Sequence, residues 1–302
     1  MRILQLNVWA RSGPYTARAG LLRAEVGLLA PDLIALQEVD AGPDGSNQAE
    51  ELFGPLGYAV EYERRDGEYR ADPGIAVASR LPLIGRHVLE LPHGGVGLAV
   101  RVDAGGDAFW FCSASTGHGW PHQELLREDA VLALDEGLTD LARGDRRPPI
   151  LAGDFDATPE HASIRFLTGR QSLHGRSTSW TDAYAVAGEG PPHTWSTDNP
   201  YVAPFAAAVF AEPDHHRRID YVFVGSPFTW RPRVAIRSAR VVLRGDAQAA
   251  PSDHWGVLAD LDIDGIALGG SRAGDMGRDG PAPVAGPAVT AGYKRQAAAG
   301  HA

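Results

Sequence analysis

The sequence predicts an α/β fold in which two mixed β-sheets pack face to face with helices outside, and three observations carry that reading. Short apolar runs alternate with segments of helical spacing through residues 1–265. A strand, helix, strand order occurs from Ile3 to Glu38 and again from Phe109 to Asp154, and each unit finishes its second strand on a carboxylate. No linker-like stretch interrupts this region, so a single domain over 1–265 is the economical description. On pattern alone, the ordinary self-similarity of α/β sequences accounts for the echo equally well.

Ile3–Trp9, Leu33–Glu38, Gly74–Ser79, Val96–Val102, Phe109–Ser115, Ile150–Asp154, Ile219–Val224 and Val257–Leu261 read as strands. Leu22, Val26 and Leu29 recur at the spacing of one helix face, as do Val131, Leu134, Leu138 and Leu141. A shorter helix is expected to begin at Thr158-Pro159-Glu160, with Thr158 as N-cap and Pro159 in the first helical position, and to stop at Gly169. His193–Pro200 has neither period and reads as a loop, the kind of segment that often chooses substrates on a rigid scaffold.

From Gly265 onward, glycine, alanine, proline and serine replace large apolar residues, a composition that cannot offset ordering entropy, so 266–302 is expected to be a disordered tail. The 302-residue chain is 44% hydrophobic, enough for a sizeable core. Its formal charge of -10 disfavours a nucleic-acid partner unless arginines gather into a local basic groove. Cys112 is the only cysteine, which excludes an intramolecular disulfide, a CxxC redox pair and a cysteine-rich zinc site. Lys294 is the only lysine, so lysine-nucleophile chemistry is excluded from the domain and arginine does the cationic work. No apolar stretch reaches the roughly 18 to 20 residues of a membrane span. Arg2 is followed by an alternating strand rather than a continuous apolar core, so no signal peptide is expected and a cytoplasmic location fits.

Polar residues sit where apolar strands stop: Asn7, Glu38, Asp154, Asp220 and the pair Asp253-His254. A strand end is a rigid mount opening on a sheet edge, where ligand sites tend to form. Any one such carboxylate is ordinarily a turn former or cap, and Asp154 alone reads equally as a cap on the helix after Thr158. Their joint occurrence is what points to chemistry.

Asn7 in Leu-Asn-Val-Trp, Glu38 in Leu-Gln-Glu-Val, the run Gly153-Asp154-Phe155-Asp156-Ala157-Thr158-Pro159, Arg218-Ile219-Asp220-Tyr221 and Ser252-Asp253-His254 resemble, in order and spacing, the signatures of the endonuclease/exonuclease/phosphatase superfamily, from Arg2 to about Leu261. The resemblance implies a four-layered α/β sandwich with its site where both sheets present strand ends. It also implies a hydrolase in which water attacks a phosphate ester directly, with Mg2+ as cofactor and Mn2+ as the alternative ion.

The roles follow group by group. Glu38 offers a hard carboxylate oxygen and Asn7 a carbonyl oxygen, suited to magnesium, and both resemble the metal-site residues of the family, as does Asp253. Asp154 resembles the water-activating base and, with metal and phosphate polarising the water, needs no raised pKa. His254 would contact the phosphate, held in one tautomer and stabilised as imidazolium by Asp220. With no Gly-x-Ser-x-Gly segment, that couple serves a water rather than a serine. His118 resembles the histidine that donates to the scissile phosphate, although Thr116-Gly117-His118-Gly119 is shifted by one position, which leaves His122 as the alternative. Where the family usually carries an asparagine two residues after the base, this chain has Asp156, which cannot donate when ionised; with Asp154 it could hold a second divalent ion.

Trp9, Arg11, Trp195, Asn199 and Trp255 lie near these signatures and could form a rim of stacking and phosphate-binding groups, with Trp255 better read as core. His215-His216 could suggest a second metal, but neighbours on a strand point to opposite faces, so a polar loop is the better reading. Three functions remain open. A hydrolase of a small or lipid phosphodiester or phosphomonoester suits the acidic charge. A nuclease on DNA or RNA would need Arg64, Arg65 and Arg70 to gather into a groove. A binding protein that keeps the scaffold without catalysis is motivated by Asp156 and the shifted His118.

Overall fold

The structure, a computed structural model, describes residues 1–263 apart from 43–44, 66–72, 118–119, 121, 212–213, 231–233 and 247. The chain divides into a compact unit, Met1–Ala267, and a remainder, Leu268–Ala302. The expected tail at 266–302 lies outside the described residues. In chain order the strands are β1 (Arg2–Asn7), β2 (Leu33–Val39), β3 (Ala59–Glu63), β4 (Gly74–Ser79), β5 (Leu83–Glu90), β6 (Val96–Asp103), β7 (Ala108–Ser115), β8 (Ile150–Asp154), β9 (Thr181–Asp182), β10 (Gly188–Glu189), β11 (Trp195–Ser196), β12 (His216–Arg217), β13 (Asp220–Val224), β14 (Ala235–Val242) and β15 (Gly256–Asp262). The helices are α1 (Tyr15–Leu29), α2 (Gln48–Phe53), α3 (Glu124–Leu141), α4 (Ala162–Leu167), α5 (Ala183–Ala187) and α6 (Ala203–Val209).

Two mixed sheets form the centre, one with strand order β10-β14-β15-β1-β2-β4-β3 and the other β5-β6-β7-β8-β13-β9. The repeated strand, helix, strand unit is structural: β1 pairs parallel with β2, and β7 pairs parallel with β8, each through a helical crossover. Period-two alternation assigns the faces. Ile3, Leu33, Ala35 and Val77 meet Leu98, Val100, Phe111 and Ala152 between the sheets. Leu4, Leu6, Ile34 and Leu36 turn outward to Leu22 and Val26 of α1, while Leu151 and Phe223 turn outward to Leu134 and Leu138 of α3. The result is four layers, helix, sheet, sheet, helix. Among the described residues no helix is long and apolar enough to cross a membrane.

All eight predicted strands are present, while β3, β5 and β14 are additional, along with the very short β9 to β12. The three longer additions run near sheet edges, where one face meets solvent and the apolar signal is diluted: β5 is mostly exposed along its length. Two local readings need correction. The third helix begins at Ala162 with His161 in the N-cap position. Thr158 instead closes a turn, its N–H donating to His161 Nδ1 at 3.0 Å. The loop at 193–200 contains β11, which pairs antiparallel with β12 in a two-stranded ribbon, so His216 lies on a strand.

Gly153 shows how packing dictates residue type beside a candidate site. It pairs with Ala114 across the β7–β8 ladder, and an added Cβ would overlap the Ala114 carbonyl. Only glycine lets the strands close while Asp154 follows on the inner face. Gly153→Ala is expected to destabilise the fold by about 2 kcal/mol or more through strand displacement. A urea midpoint equal to that of the parent protein would show that the ladder yields without cost.

Candidate active site

The inner faces of the strands change character toward one end of the sandwich. Ile3 gives way to Gln5 and Asn7 on β1, Ala35 to Gln37 on β2, Phe111 to Ser113 on β7, Ala152 to Asp154 on β8, and Val222 to Asp220 on β13. β13 runs antiparallel to β8 with Asp220 opposite Asp154, so all these polar ends meet at one mouth.

Alternation alone would place Glu38 with Ile34 and Leu36 on the helix-facing side. The β2–β4 register shifts between Leu36 and Val39, and Glu38 takes a left-handed backbone with φ +52°. That bulge turns its carboxylate to the mouth, where Asn7 Nδ2 donates to Glu38 Oε1 at 3.1 Å. The same Nδ2 donates to Asp154 Oδ2 at 3.0 Å, and Asn7 Oδ1 accepts from the Trp9 N–H at 2.9 Å. Asn7 therefore braces two carboxylates through its amide nitrogen while its amide oxygen holds the backbone at Trp9.

Asp220 is almost fully buried and accepts from two sides: Gln5 Nε2 at 2.8 Å on Oδ1 and His254 Nδ1 at 3.0 Å on Oδ2. With Nδ1 held, His254 Nε2 faces Asp154 Oδ2 at 3.9 Å, beyond hydrogen-bond reach. Gln5 Nε2 also donates to Gln37 Oε1, Gln37 Nε2 donates to Ser113 Oγ, and Ser113 Oγ donates to the Leu36 carbonyl, a relay buried between the sheets. Sequence reasoning missed this relay, although a glutamine on the inward parity of an apolar strand was its visible signal.

Asp154 Oδ1 accepts the Asp156 N–H at 3.1 Å, and the Asp156 carbonyl accepts from Arg217 Nη2 at 2.8 Å. Asp156 is left-handed, with φ +50°, a conformation Asp and Asn tolerate better than most residues. Asp253 and His254 arrive on a segment tied down by Ser252 Oγ donating to the Asn7 carbonyl at 2.7 Å. Asn199 is fully buried and its amide donates to the Ser252 and Asp253 carbonyls, so it holds this segment in place. Arg11 is likewise spent elsewhere, paired with Glu51 at 2.7 Å and stacked over Tyr15. Fully buried Arg18 donates to the carbonyls of Val8, Trp9, Ala10, Ser12 and Pro251, fixing the loop after β1; a lone helix arginine carried no sequence signal for this.

The structure thus brings Asn7, Glu38, Asp154, Asp156, Asp220, Asp253 and His254 together. A small polar cavity lined by Glu38, Arg65, Ser115, Asp154, Asp156 and His254 lies on one side. A larger one of about 430 Å³, containing Trp9 and Trp195, lies on the other. Trp255 is core, beneath the Arg244 guanidinium. His118 and Arg70 lie outside the described residues, and His122 is exposed and lines neither cavity. His215 stacks on Phe210 while His216 Nδ1 pairs with Ser196 Oγ, so the two histidines do not converge.

Crowding of acids sets the electrostatics. Burial, with repulsion from Asp156 and Asp220, raises the Asp154 pKa well above the usual carboxylate value, against the pull of His254 and Asn7. Asp253 is pushed up to about 7 by burial; His254 opposes that, Glu38 repels, and Arg18 attracts. Burial disfavours the His254 imidazolium, yet Asp220, Asp154 and Asp253 outweigh it and raise its pKa well above normal. Asp154, Asp220 and His254 place ligand atoms within 4.8 Å of one another and could hold an ion. Further carboxylates border this group: Glu38 shares the Asn7 amide with Asp154, and Asp253 lies close enough to Glu38 to be repelled by it.

Residues 4–254 match the Endonuclease/Exonuclease/phosphatase family. No curated protein matches the chain in sequence. Among solved structures, the human Nocturnin catalytic domain with bound sulfate is 20% identical with a TM-score of 0.66, over 87% of this chain and 94% of that one. An endonuclease/exonuclease/phosphatase from Bacteroides vulgatus is 17% identical with a TM-score of 0.67, over 87% and 98%. D. rerio TDP2 complexed with single-strand DNA product is 18% identical with a TM-score of 0.64, over 87% and 98%. These likenesses establish the fold.

The acid cluster also fixes the pH dependence of stability. A carboxyl whose folded pKa lies above its unfolded value stabilises the fold fully in acid and loses that contribution as pH rises through the folded value, here about 7 for Asp253, with Asp154 shifted in the same direction. Without divalent ions the melting temperature is expected to fall as pH rises through neutrality. Added magnesium should raise it more on the alkaline side, where protons no longer compete for the oxygens. A melting temperature independent of both pH and magnesium in thermal scans would contradict this electrostatic picture.

Proposed function

The chain belongs to the endonuclease/exonuclease/phosphatase family, a family of metal-dependent phosphoesterases and nucleases, and we propose that it is a magnesium-dependent hydrolase that cleaves a small-molecule phosphate ester by in-line attack of a water. The observation that carries this reading is the convergence of Glu38, Asp154, Asp220, Asp253 and His254 from separate strands and loops on one buried mouth.

Asp154 takes the attacking water's proton. Its raised proton affinity, caused by burial and by repulsion from Asp156 and Asp220, makes it a stronger base than an exposed carboxylate. His254, charged and held through Nδ1 by Asp220, donates from Nε2 to a phosphoryl oxygen; the 3.9 Å gap to Asp154 leaves that proton available. Asn7 keeps Glu38 and Asp154 at fixed separation by donating to both. Magnesium, held by Glu38 and Asp253 oxygens, would neutralise phosphate charge and stabilise the leaving oxygen. Arg65 lines the small polar cavity and, with His254, supplies positive charge to the phosphoryl group.

The cavity on the other side favours a small substrate over a nucleic-acid strand. It is concave and of a size that encloses one small molecule, whereas a strand needs a positively charged groove along its backbone. Magnesium-dependent turnover of bis(p-nitrophenyl) phosphate is expected to fall by roughly 10²–10⁴-fold in Asp154→Asn and in His254→Ala. Hydrolysis that persists in both variants would refute these roles, and a parent protein inert toward a panel of phosphate mono- and diesters would favour a non-catalytic binder.

Asp156→Asn separates two effects of one carboxylate. Removing its charge relieves repulsion on Asp154, so Asp154 loses its proton more readily and the acidic limb of the pH–rate profile should move to lower pH. If Asp156 also holds a second divalent ion with Asp154, the magnesium concentration for half-maximal rate will rise in the same variant. An unmoved magnesium titration would eliminate the second ion while leaving the pH effect to be judged alone.

A further inference from the structure

The larger cavity is attached to the catalytic mouth. Asp156, Asp253 and His254 line it, so a group bound there lies directly beside the residues assigned to the phosphoryl centre. Its volume, about 430 Å³, lies within the range of pockets that enclose one small molecule.

The remaining wall is unusual in composition. Trp9, Trp120, Trp195, Tyr201, Phe205 and Phe210 line it, while Val202 and Ile219 are its only aliphatic members among the described residues. At the mouth Trp120 is 48% and Phe205 45% exposed, with near-parallel rings 6.4 Å apart. Deeper in, Trp195 meets Phe205 and Phe210 edge to face at 6.1 and 6.3 Å. Large apolar rings left open beside a hydrolytic centre mark a binding surface. Aliphatic chains need only apolar volume, whereas ring faces gain additional energy from offset stacking and edge contacts with another ring. The support is firm: Trp195 and Ile219 pack with Val202 and Ala206 of the α6 region, and Arg217 is anchored to the Asp156 carbonyl at 2.8 Å.

From this geometry we infer that the substrate's organic arm is a planar aromatic ring joined near the ester oxygen, seated in this pocket, and that Phe205, Trp120 and Trp195 select it. The inference rests on the proposed phosphoesterase reading and narrows it to ring-bearing phosphate esters. The shared chemistry is the ring, which an aryl ester or a nucleoside phosphate can supply.

The test uses binding rather than turnover, so that it stands apart from the catalytic assignment. Full-length protein with magnesium is titrated with 1-naphthylmethylphosphonate and with n-heptylphosphonate, neither of which can be hydrolysed, following intrinsic tryptophan fluorescence and calorimetry. The naphthyl compound should bind roughly tenfold tighter, and that ratio should collapse in Phe205→Ala and in Trp120→Ala, both at exposed positions that leave folding intact. Displacement of the naphthyl compound by adenosine 5′-monophosphate assigns the ring to a nucleoside; naphthyl binding that this nucleotide does not displace assigns it to a plain aryl group. Equal or tighter heptyl binding, a ratio unchanged in both variants, or no naphthyl binding at all would overturn the inference. Hydrolysis of bis(p-nitrophenyl) phosphate by the same sample reports separately whether the phosphoesterase reading survives.

Discussion

Several carboxylates sharing one dry mouth is the constraint around which this molecule is arranged. Buried acids are tolerated only when each finds donors or a countercharge. Asp220 takes Gln5 and His254, Asp154 takes Asn7 and the Asp156 N–H, and Glu38 takes Asn7. The glutamines need partners in turn, so polarity extends inward through Gln37 and Ser113 until it ends on a backbone carbonyl. The inner core is therefore apolar at one end and hydrogen-bonded at the other. The charge left over, expressed as raised proton affinity at Asp154 and Asp253, is what a divalent cation would balance.

The same region concentrates backbone strain. Trp9, Ala10, Glu38 and Asp156 all carry positive φ. Such residues cost on the order of 1–3 kcal/mol each and persist only where surroundings over-determine them. Here the restraints are identifiable: the Ala10 N–H donates to the Glu38 carbonyl at 2.9 Å, Arg18 gathers five carbonyls, and Asp156 is fastened at both its N–H and its carbonyl. The strain keeps carboxylates aimed at the mouth where regular strand geometry would have turned them away.

Chemistry and selectivity occupy different parts of the fold. The groups assigned to the phosphoryl centre stand mainly on strand ends of the two sheets, while four of the six aromatic wall residues, Trp195, Tyr201, Phe205 and Phe210, come from β11 and from α6 and its flanks, outside both sheets. Such a division lets one scaffold keep a reaction while its appended segments change the accepted group. The solved structures that share this fold at 20% identity or less are compatible with that separation, since fold alone carries no substrate.

What the sequence determined by itself was the layered order and the acid-bearing strand ends. Period-two apolar runs from Ile3 to Leu261 and helix spacing at Leu22 and Val131 are local signals, and local signals survive in one dimension. Edge strands such as β5 escaped because one solvent face blurs the pattern. Only the tertiary structure decided which partners those side chains meet. Asn7 turned its amide nitrogen rather than its oxygen to the carboxylates, Asn199 and Arg11 were drawn into structural contacts, Glu38 was redirected by a bulge, and Phe205 and Phe210 came to wall a cavity. The physical reason is that hydrogen-bond direction, ring placement and burial depend on groups hundreds of residues apart, such as Asn7 and Ser252, whose proximity only the closed sandwich creates.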